Sequence, residues 1–299
     1  MNNVKKYSLF ILVCAIFGNT FLAISLGLKA GASPLLYGGI RFTAAGFIMI
    51  MVMLLTGKVS IQQLKSLCLR SAFLSLFLVV GTFGLMFIAQ TKVDSGFMAR
   101  LDATGPIFTA LFASLFLHKR LNPYHYIALL LGTMGSFLIA APSSATHPIM
   151  YLIAAWGCVI LYAVGNVLYP LLFKKEESAV TINALQSLIG GLLLLGLSYI
   201  AGQTAFPAKA ILPLLYLIIA GSIIAHTAVM VLVKEAGPLF ASGWLYVAPI
   251  IATLSGYIIL KESISFLEMG GTILALIGTF LLGVGENKSA QKQKTGTKK

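Results

Sequence analysis

The sequence predicts an all-α integral membrane protein of ten transmembrane helices arranged as two inverted five-helix repeats. Three observations carry that expectation. Of the 299 residues, 59% are hydrophobic and only 10% charged, whereas soluble domains carry about a quarter charged residues. The apolar residues fall into long runs, and a helix needs roughly 20 of them to cross a hydrocarbon core about 30 Å thick. The chain also resembles itself at an offset near 145 residues, with an odd number of runs in each copy.

The runs place spans at 7–28, 34–55, 71–90, 95–117, 123–141, 148–173, 178–201, 211–233, 239–260 and 266–284. Connections between them are short. The longest, 56–70, has the length of one amphipathic turn and helix. No stretch remains for a soluble domain. The first run follows Lys5 and Lys6 but is too long for a signal-peptide core of about 7–15 residues, so it reads as an uncleaved span. Cys14, Cys68 and Cys158 lack metal-ligand spacing and read as small apolar residues without a disulfide framework.

The net charge of +13 would suggest a nucleic-acid partner in a soluble protein. Here topology accounts for it. With the N-terminus in the cytoplasm, the inner side receives fifteen of the basic residues: Lys5, Lys6, Lys58, Lys65, Arg70, Lys119, Arg120, Lys174, Lys175, Lys234 and the tail lysines 288, 292, 294, 298 and 299. The outer side receives four, Lys29, Lys92, Lys209 and Lys261. That bias follows the positive-inside rule and puts both termini in the cytoplasm. Residues 286–299 form a basic cytoplasmic tail that can touch anionic lipid.

The internal echo aligns Pro106 with Pro249, Ile107 with Ile250, Gly135 with Gly278, Phe137 with Phe280 and Leu138 with Leu281. "FGNTF" at 17–21 also recurs as "VGNVL" at 164–168. The units are 1–145 and 146–285. Five spans each means that the second copy enters from the opposite side, an arrangement of secondary transporters with a site near the midplane.

Gly-Asn early in the first span of each half, "RF" in the second span and "GPIFTALFASLFLHKRLNP" at 105–123, with "APIIATLSGYIILKESISFLEMGGTILALIGTFLL" in the second half, resemble the drug/metabolite transporter superfamily, EamA-type permeases. The likeness covers 7–284. It implies transport of amino acids, other metabolites or drugs, with export favoured. One departure is Lys119, which stands where the family usually carries an acid; the second half keeps Glu262.

Polar residues within spans are costly and commonly face a wet interior, which marks Asn19, Arg41, Arg100, Asp102, Tyr162, Asn166, Trp244 and Tyr246 as candidate solute contacts. Pro106 and Pro249 each remove an amide donor and free a carbonyl one turn back, so both are expected to kink their helices. Arg41 and Asp102 lie at matching depth, about 10 Å below the outer surface by helical rise, which allows them to pair. Arg100 lies nearer the surface and can reach outward. Asp102 is the candidate for proton coupling; a fixed bridge to Arg41 is the structural alternative. Metal, nucleotide and hydrolase motifs are absent, so no cofactor, metal or catalytic residue is expected. The expected partners are a small-molecule solute and the lipid bilayer, with a homodimer left open. A non-transporting accessory protein of the bilayer is the competing class.

The orientation is testable. In a cysteine-free background, Ala145→Cys and Thr204→Cys should label from outside intact cells, and Ile61→Cys and Ala290→Cys should not. Equal labelling of all four would overturn the alternation of spans.

Overall fold

A computed structural model describes residues 2–93, 95–139, 148–255 and 266–296. Those residues are helical, with short turns and no strand among them. The first apolar run is split into α1 (Asn3–Phe17) and α2 (Thr20–Lys29), broken at Gly18 and Asn19. α3 (Pro34–Leu55) follows, with Pro34 in its first turn, where a missing amide hydrogen costs nothing.

The third run begins earlier than expected. α4 (Ile61–Ser75) opens with a reciprocal capping box between Ser60 and Gln63, which starts the helix ten residues upstream of the apolar run. It continues through a π-helical stretch, Leu76–Gly84, into α5 (Leu85–Ala89). The Thr82 hydroxyl donates to the carbonyl of Phe77, five residues back, in keeping with that wider winding.

The fourth run is α6 (Ser95–Asp102) and α7 (Gly105–Phe116), interrupted at Ala103 and Thr104 just before Pro106. Next come α8 (Pro123–Ile139), α9 (Ile149–Leu172) and α10 (Ala179–Ile200). α11 (Ile211–Tyr216) leads through a second nine-residue π-helical stretch, Leu217–Ala225, into α12 (His226–Ala236). α13 (Pro238–Ser242) and α14 (Trp244–Ser255) are separated at Gly243. α15 is Phe266–Gly296.

Seven helices among the described residues are long and apolar enough to cross a membrane, not ten. The difference falls on the expected spans 95–117, 123–141 and 239–260. Breaks before Pro106 and at Gly243 divide two of them, and α8 has 17 residues. The positions 140–141 and 256–260 lie outside the described residues. Pro249 does not interrupt its helix; it lies inside α14, and the break sits six residues upstream at Gly243. The tail, expected as a solvated end, instead continues α15 through Gly296. Its Glu, Lys, Ala and Gln residues are good helix formers, and Asn287 and Ser289 hydrogen-bond to Lys6 and Asn122.

Large apolar side chains such as Phe47, Val52, Leu69, Leu111, Phe137 and Tyr199 face outward, the surface expected where the solvent is lipid. The closest helix pairs are α3 with α10 and α8 with α15. Glycines make both contacts. A Cβ on Gly46 would lie 2.3 Å from the Leu188 amide nitrogen, and one on Gly191 2.3 Å from that of Thr43. In the other pair, Gly135 meets the backbone of Gly271 and Ala275, and Gly278 meets that of Gly132. Lipid tails supply no hydrophobic drive between helices, so small residues that admit close van der Waals contact carry the association.

One end of the bundle is held by ions. Arg70 donates to both oxygens of Glu177 at 2.7 and 3.0 Å, and Lys234 donates to the Glu177 carbonyl at 2.7 Å. The Arg70 hydrogen bond holds the Glu177 carboxyl below its ordinary value. At the same end Lys119 pairs with Glu286 of α15, so the cation that replaces the family's acid finds an acid elsewhere. The opposite end is held by neutral groups: Ser33 donates its amide to the Ala205 carbonyl at 2.8 Å, and Leu35 to Gln203 Oε1 at 2.9 Å.

Glycine substitutions in α3 and α10 should separate packing from helix propensity. Gly46→Ala forces backbone apart and should lower stability by about 1–3 kcal/mol. Gly196→Ala, with nothing within 4 Å of its Cβ, should be neutral or stabilise by up to about 1 kcal/mol. Thermal unfolding in detergent reads both; equal effects would rule out the close-contact account.

Candidate functional site

Where the helices are broken or rewound, their side chains surround a small, mostly apolar cavity. Phe17, Thr20 and Phe21 reach it from the break between α1 and α2. Thr82, Phe83 and Met86 come from the first π-helical stretch and α5. Asp102 enters from the last residue of α6, Tyr162 from α9, and Trp244 and Leu245 from the start of α14. The gap is narrow. A water fits, whereas a larger solute requires the walls to move.

Its polar points are few and placed. Trp244 Nε1 donates to the Tyr162 hydroxyl at 2.8 Å, and the two rings meet edge-on with centroids 6.1 Å apart. The other side of the indole packs on Phe17 at 4.7 Å. Asp102, 6% exposed, has Cys158 Sγ 4.0 Å from Oδ1. Mostly aromatic walls with a small number of polar groups are the usual make-up of small-molecule sites.

Behind Phe83 lies a second, polar cluster. Arg41, fully buried, donates from Nε to Ser222 Oγ at 2.8 Å. Its Cζ is 4.8 Å from the Phe83 ring and 4.7 Å from that of Phe42. On α10, Asn183 donates to Thr227 Oγ1 and to the Ser222 carbonyl, and Gln186 Nε2 lies 2.9 Å from His226 Nε2. These bonds tie α3, α10 and the second π-helical stretch together.

The EamA-like transporter family matches this chain twice, over residues 4–141 and 149–284. The chain belongs to that family. As an EamA-like transporter it is similar to the uncharacterized inner membrane transporter YedA of Escherichia coli (strain K12), 29% identical over 276 residues that span 88% of this chain and 86% of YedA. The uncharacterized transporter YoaV of Bacillus subtilis (strain 168) is 26% identical, over 90% of this chain and 93% of its own. Protein PagO of Salmonella typhimurium is 26% identical, over 96% and 95%. A crystal structure with 19% identity superposes with a TM-score of 0.74, covering 93% of this chain and 96% of its own, and shares the fold. The protein is a multi-pass membrane transporter.

In this EamA-like transporter, Asp102, Tyr162 and Trp244 meet at the cavity. Asn166 and Asn19 stand beside it and turn their amides onto the carbonyls one turn back, of Tyr162 and Ala15. Tyr246 does not reach it. Its ring fills the space over Gly132 of α8, and its hydroxyl lies 3.3 Å from Thr133 Oγ1. Arg41 and Asp102 form no ion pair. Matching depth does not ensure that two side chains point toward each other, and Arg41 points to Ser222. The outward reach expected of Arg100 concerns a side chain outside the described residues. Phe17, Phe21 and Phe83 were missed, because an aromatic residue in an apolar run reads as lipid-facing or core until its neighbours are known.

Trp244 and Tyr246 should therefore behave differently. Trp244→Ala removes both the Tyr162 partner and the wall against Phe17, and should cut solute flux about tenfold or more. Tyr246→Phe should leave flux unchanged. Proteoliposome assays on the two variants check this, and a reversed order would remove Trp244 from the site.

Proposed function

We propose that the protein is a secondary transporter of a small organic solute in the cytoplasmic membrane, working by alternating access around the aromatic cavity. The observation that carries this reading is the origin of the cavity walls. They come from both family segments, and from the places where helices are broken at Gly18, Ala103 and Gly243 or wound as a π-helix. Non-helical backbone at membrane depth is tolerated where it lines a cavity, and transporters place their sites at such discontinuous helices.

In this reading the chain has ten spans, with the short and broken helices counted among them, in two inverted units, 1–145 and 146–285. Helix pairing supports it: α3 packs on α10 and α8 on α15, and the first π-helical stretch packs on α9 as the second packs on α1. In each of these pairs an element of one unit packs on an element of the other. Two π-helical stretches of equal length at equivalent positions fit the same duplication. Both termini are cytoplasmic, and transport runs outward.

Asp102 is the coupling residue in this scheme. A carboxylate at depth is costly, and Asp102 has no ion pair among the described residues, so its site favours uptake of a proton or of a cationic group in one state and release in the other. A ligand shifts two states only by its differential affinity for them.

Flux of a labelled solute library in proteoliposomes tests transport itself, and Asp102→Asn tests the coupling. The variant should still exchange solute at equal concentrations but no longer accumulate it against a gradient when a proton gradient is imposed. Normal accumulation by Asp102→Asn would remove the coupling role. No flux of any solute by wild-type protein would favour a non-transporting partner protein of the bilayer.

A further inference from the structure

Among the described residues, Arg41 is a buried cation with no counter-charge. It is 0% exposed, and a guanidinium keeps its proton in proteins. Nε is satisfied by Ser222 Oγ, but Nη1 and Nη2 have no acceptor among the described residues. Together those two nitrogens carry four N–H donors. Phe42 and Phe83, their rings 4.8 Å apart, form an apolar corner beside it. A ring face attracts the charge but leaves in-plane donors without an oxygen.

Both π-helical stretches converge here. Phe83 belongs to Leu76–Gly84, and Gly221 and Ser222 to Leu217–Ala225. Rewound turns of this kind occur often at functional sites. Gly221 has a direct bearing, since a Cβ there would stand 3.0 Å from Arg41 Nη2. Its lack of a side chain keeps the edge of the guanidinium clear. Asp102 borders the neighbouring cavity but is not paired with Arg41, so the donors stay available for a ligand. Phe83 forms a wall of that cavity and also lies against Arg41. The Phe83 ring therefore stands between the cavity and those four donors.

We propose that Arg41 anchors the carboxylate of the transported solute, which makes the substrate an organic monoanion whose apolar body sits among Phe17, Phe21, Phe83 and Trp244. This rests on the transport reading above. The guanidinium fork matches a carboxylate through two parallel N–H···O bonds, and the anion supplies the charge that a buried arginine otherwise lacks. A neutral solute of the same shape leaves the donors unfilled. Rotation of Phe83 away from the cavity wall admits the carboxylate, and its return closes an aromatic wall over the apolar body.

The test uses full-length protein in detergent, in a chloride-free zwitterionic buffer. Its melting temperature is followed against acetate, hexanoate and phenylacetate, each beside its neutral amide. Ligands that bind only the folded state raise that temperature saturably. At least one of the two larger carboxylates should do so with wild-type protein, and its amide should not. Arg41→Gln should weaken that carboxylate about 10- to 100-fold, and Arg41→Lys by less. The assignment is overturned by equal responses to acid and amide, by no response to any carboxylate, or by an undiminished response in Arg41→Gln. It is also overturned if chloride alone reproduces the full response, which would mark a small-anion site. Should Arg41→Gln not fold, the acid and amide comparison on wild type decides. An anion response without flux of any solute would end the transport reading and keep the site; flux of neutral solutes without an anion response would do the reverse.

Discussion

The approach of α3 and α10 backbones at Gly46 and Gly191 is the contact on which the interior is built. With 2.3 Å from a hypothetical Cβ to a neighbouring amide nitrogen, no other residue fits without moving a helix. That closeness buries the side chains on either side of it. Arg41 lies five residues before Gly46, and Asn183, Gln186 and Ser187 lie within two turns of Gly191. All are fully buried, and they must find partners on a third element. The second π-helical stretch supplies them to Arg41 and Asn183 through the Ser222 hydroxyl and carbonyl, and α12 offers His226 to Gln186. Polar residues thus act here as interhelical ties, whose measured contributions in membranes are modest, averaging about 0.6 kcal/mol each. Most of the cohesion comes from the packing that brought them together.

Much of the architecture was legible as apolar runs, because in lipid a backbone must satisfy its own hydrogen bonds and helices are the main solution. The break before Pro106 was legible too, from a residue without an amide hydrogen. Other features depended on direction around a helix. Trp244 and Tyr246 are two positions apart, which on a helix places them on different sides; one enters the cavity and the other packs on α8. Depth placed Arg41 and Asp102 at one level but could not say which way each faced. The π-helical stretches leave little trace in composition. Their local hints are small or hydroxyl residues, Gly81, Thr82 and Gly84 in one and Ala220, Gly221, Ser222 and Ala225 in the other. The start of α4 was available in the Ser60–Gln63 pattern and was hidden by attention to hydrophobicity.

The cavity and the polar cluster are linked mechanically as well as by proximity. Tyr216, on the turn before the second π-helical stretch, donates its hydroxyl to the Ile16 carbonyl at 2.6 Å, beside the break in the first span. Ile16 thereby gains an acceptor role outside its own helix at the point where the ladder stops. That hydrogen bond ties the start of Leu217–Ala225 to the turn that carries Phe17, Thr20 and Phe21 to the cavity wall. Discontinuous helices are suited to this role because a local change of winding moves one half against the other without breaking the packing at either end.

The two ends of the bundle are closed by different chemistry. Arg70, Glu177, Lys119 and Glu286 hold one by charge, and Ser33, Leu35, Gln203 and Ala205 hold the other through uncharged groups. Dissolved salt weakens the first through screening, with a Debye length of about 8 Å at physiological ionic strength, and leaves the second nearly untouched. The cohesion of the charged end is therefore not a property of the polypeptide alone. It is set jointly with the electrolyte bathing it, so the two ends of the bundle answer the same change of ionic strength differently.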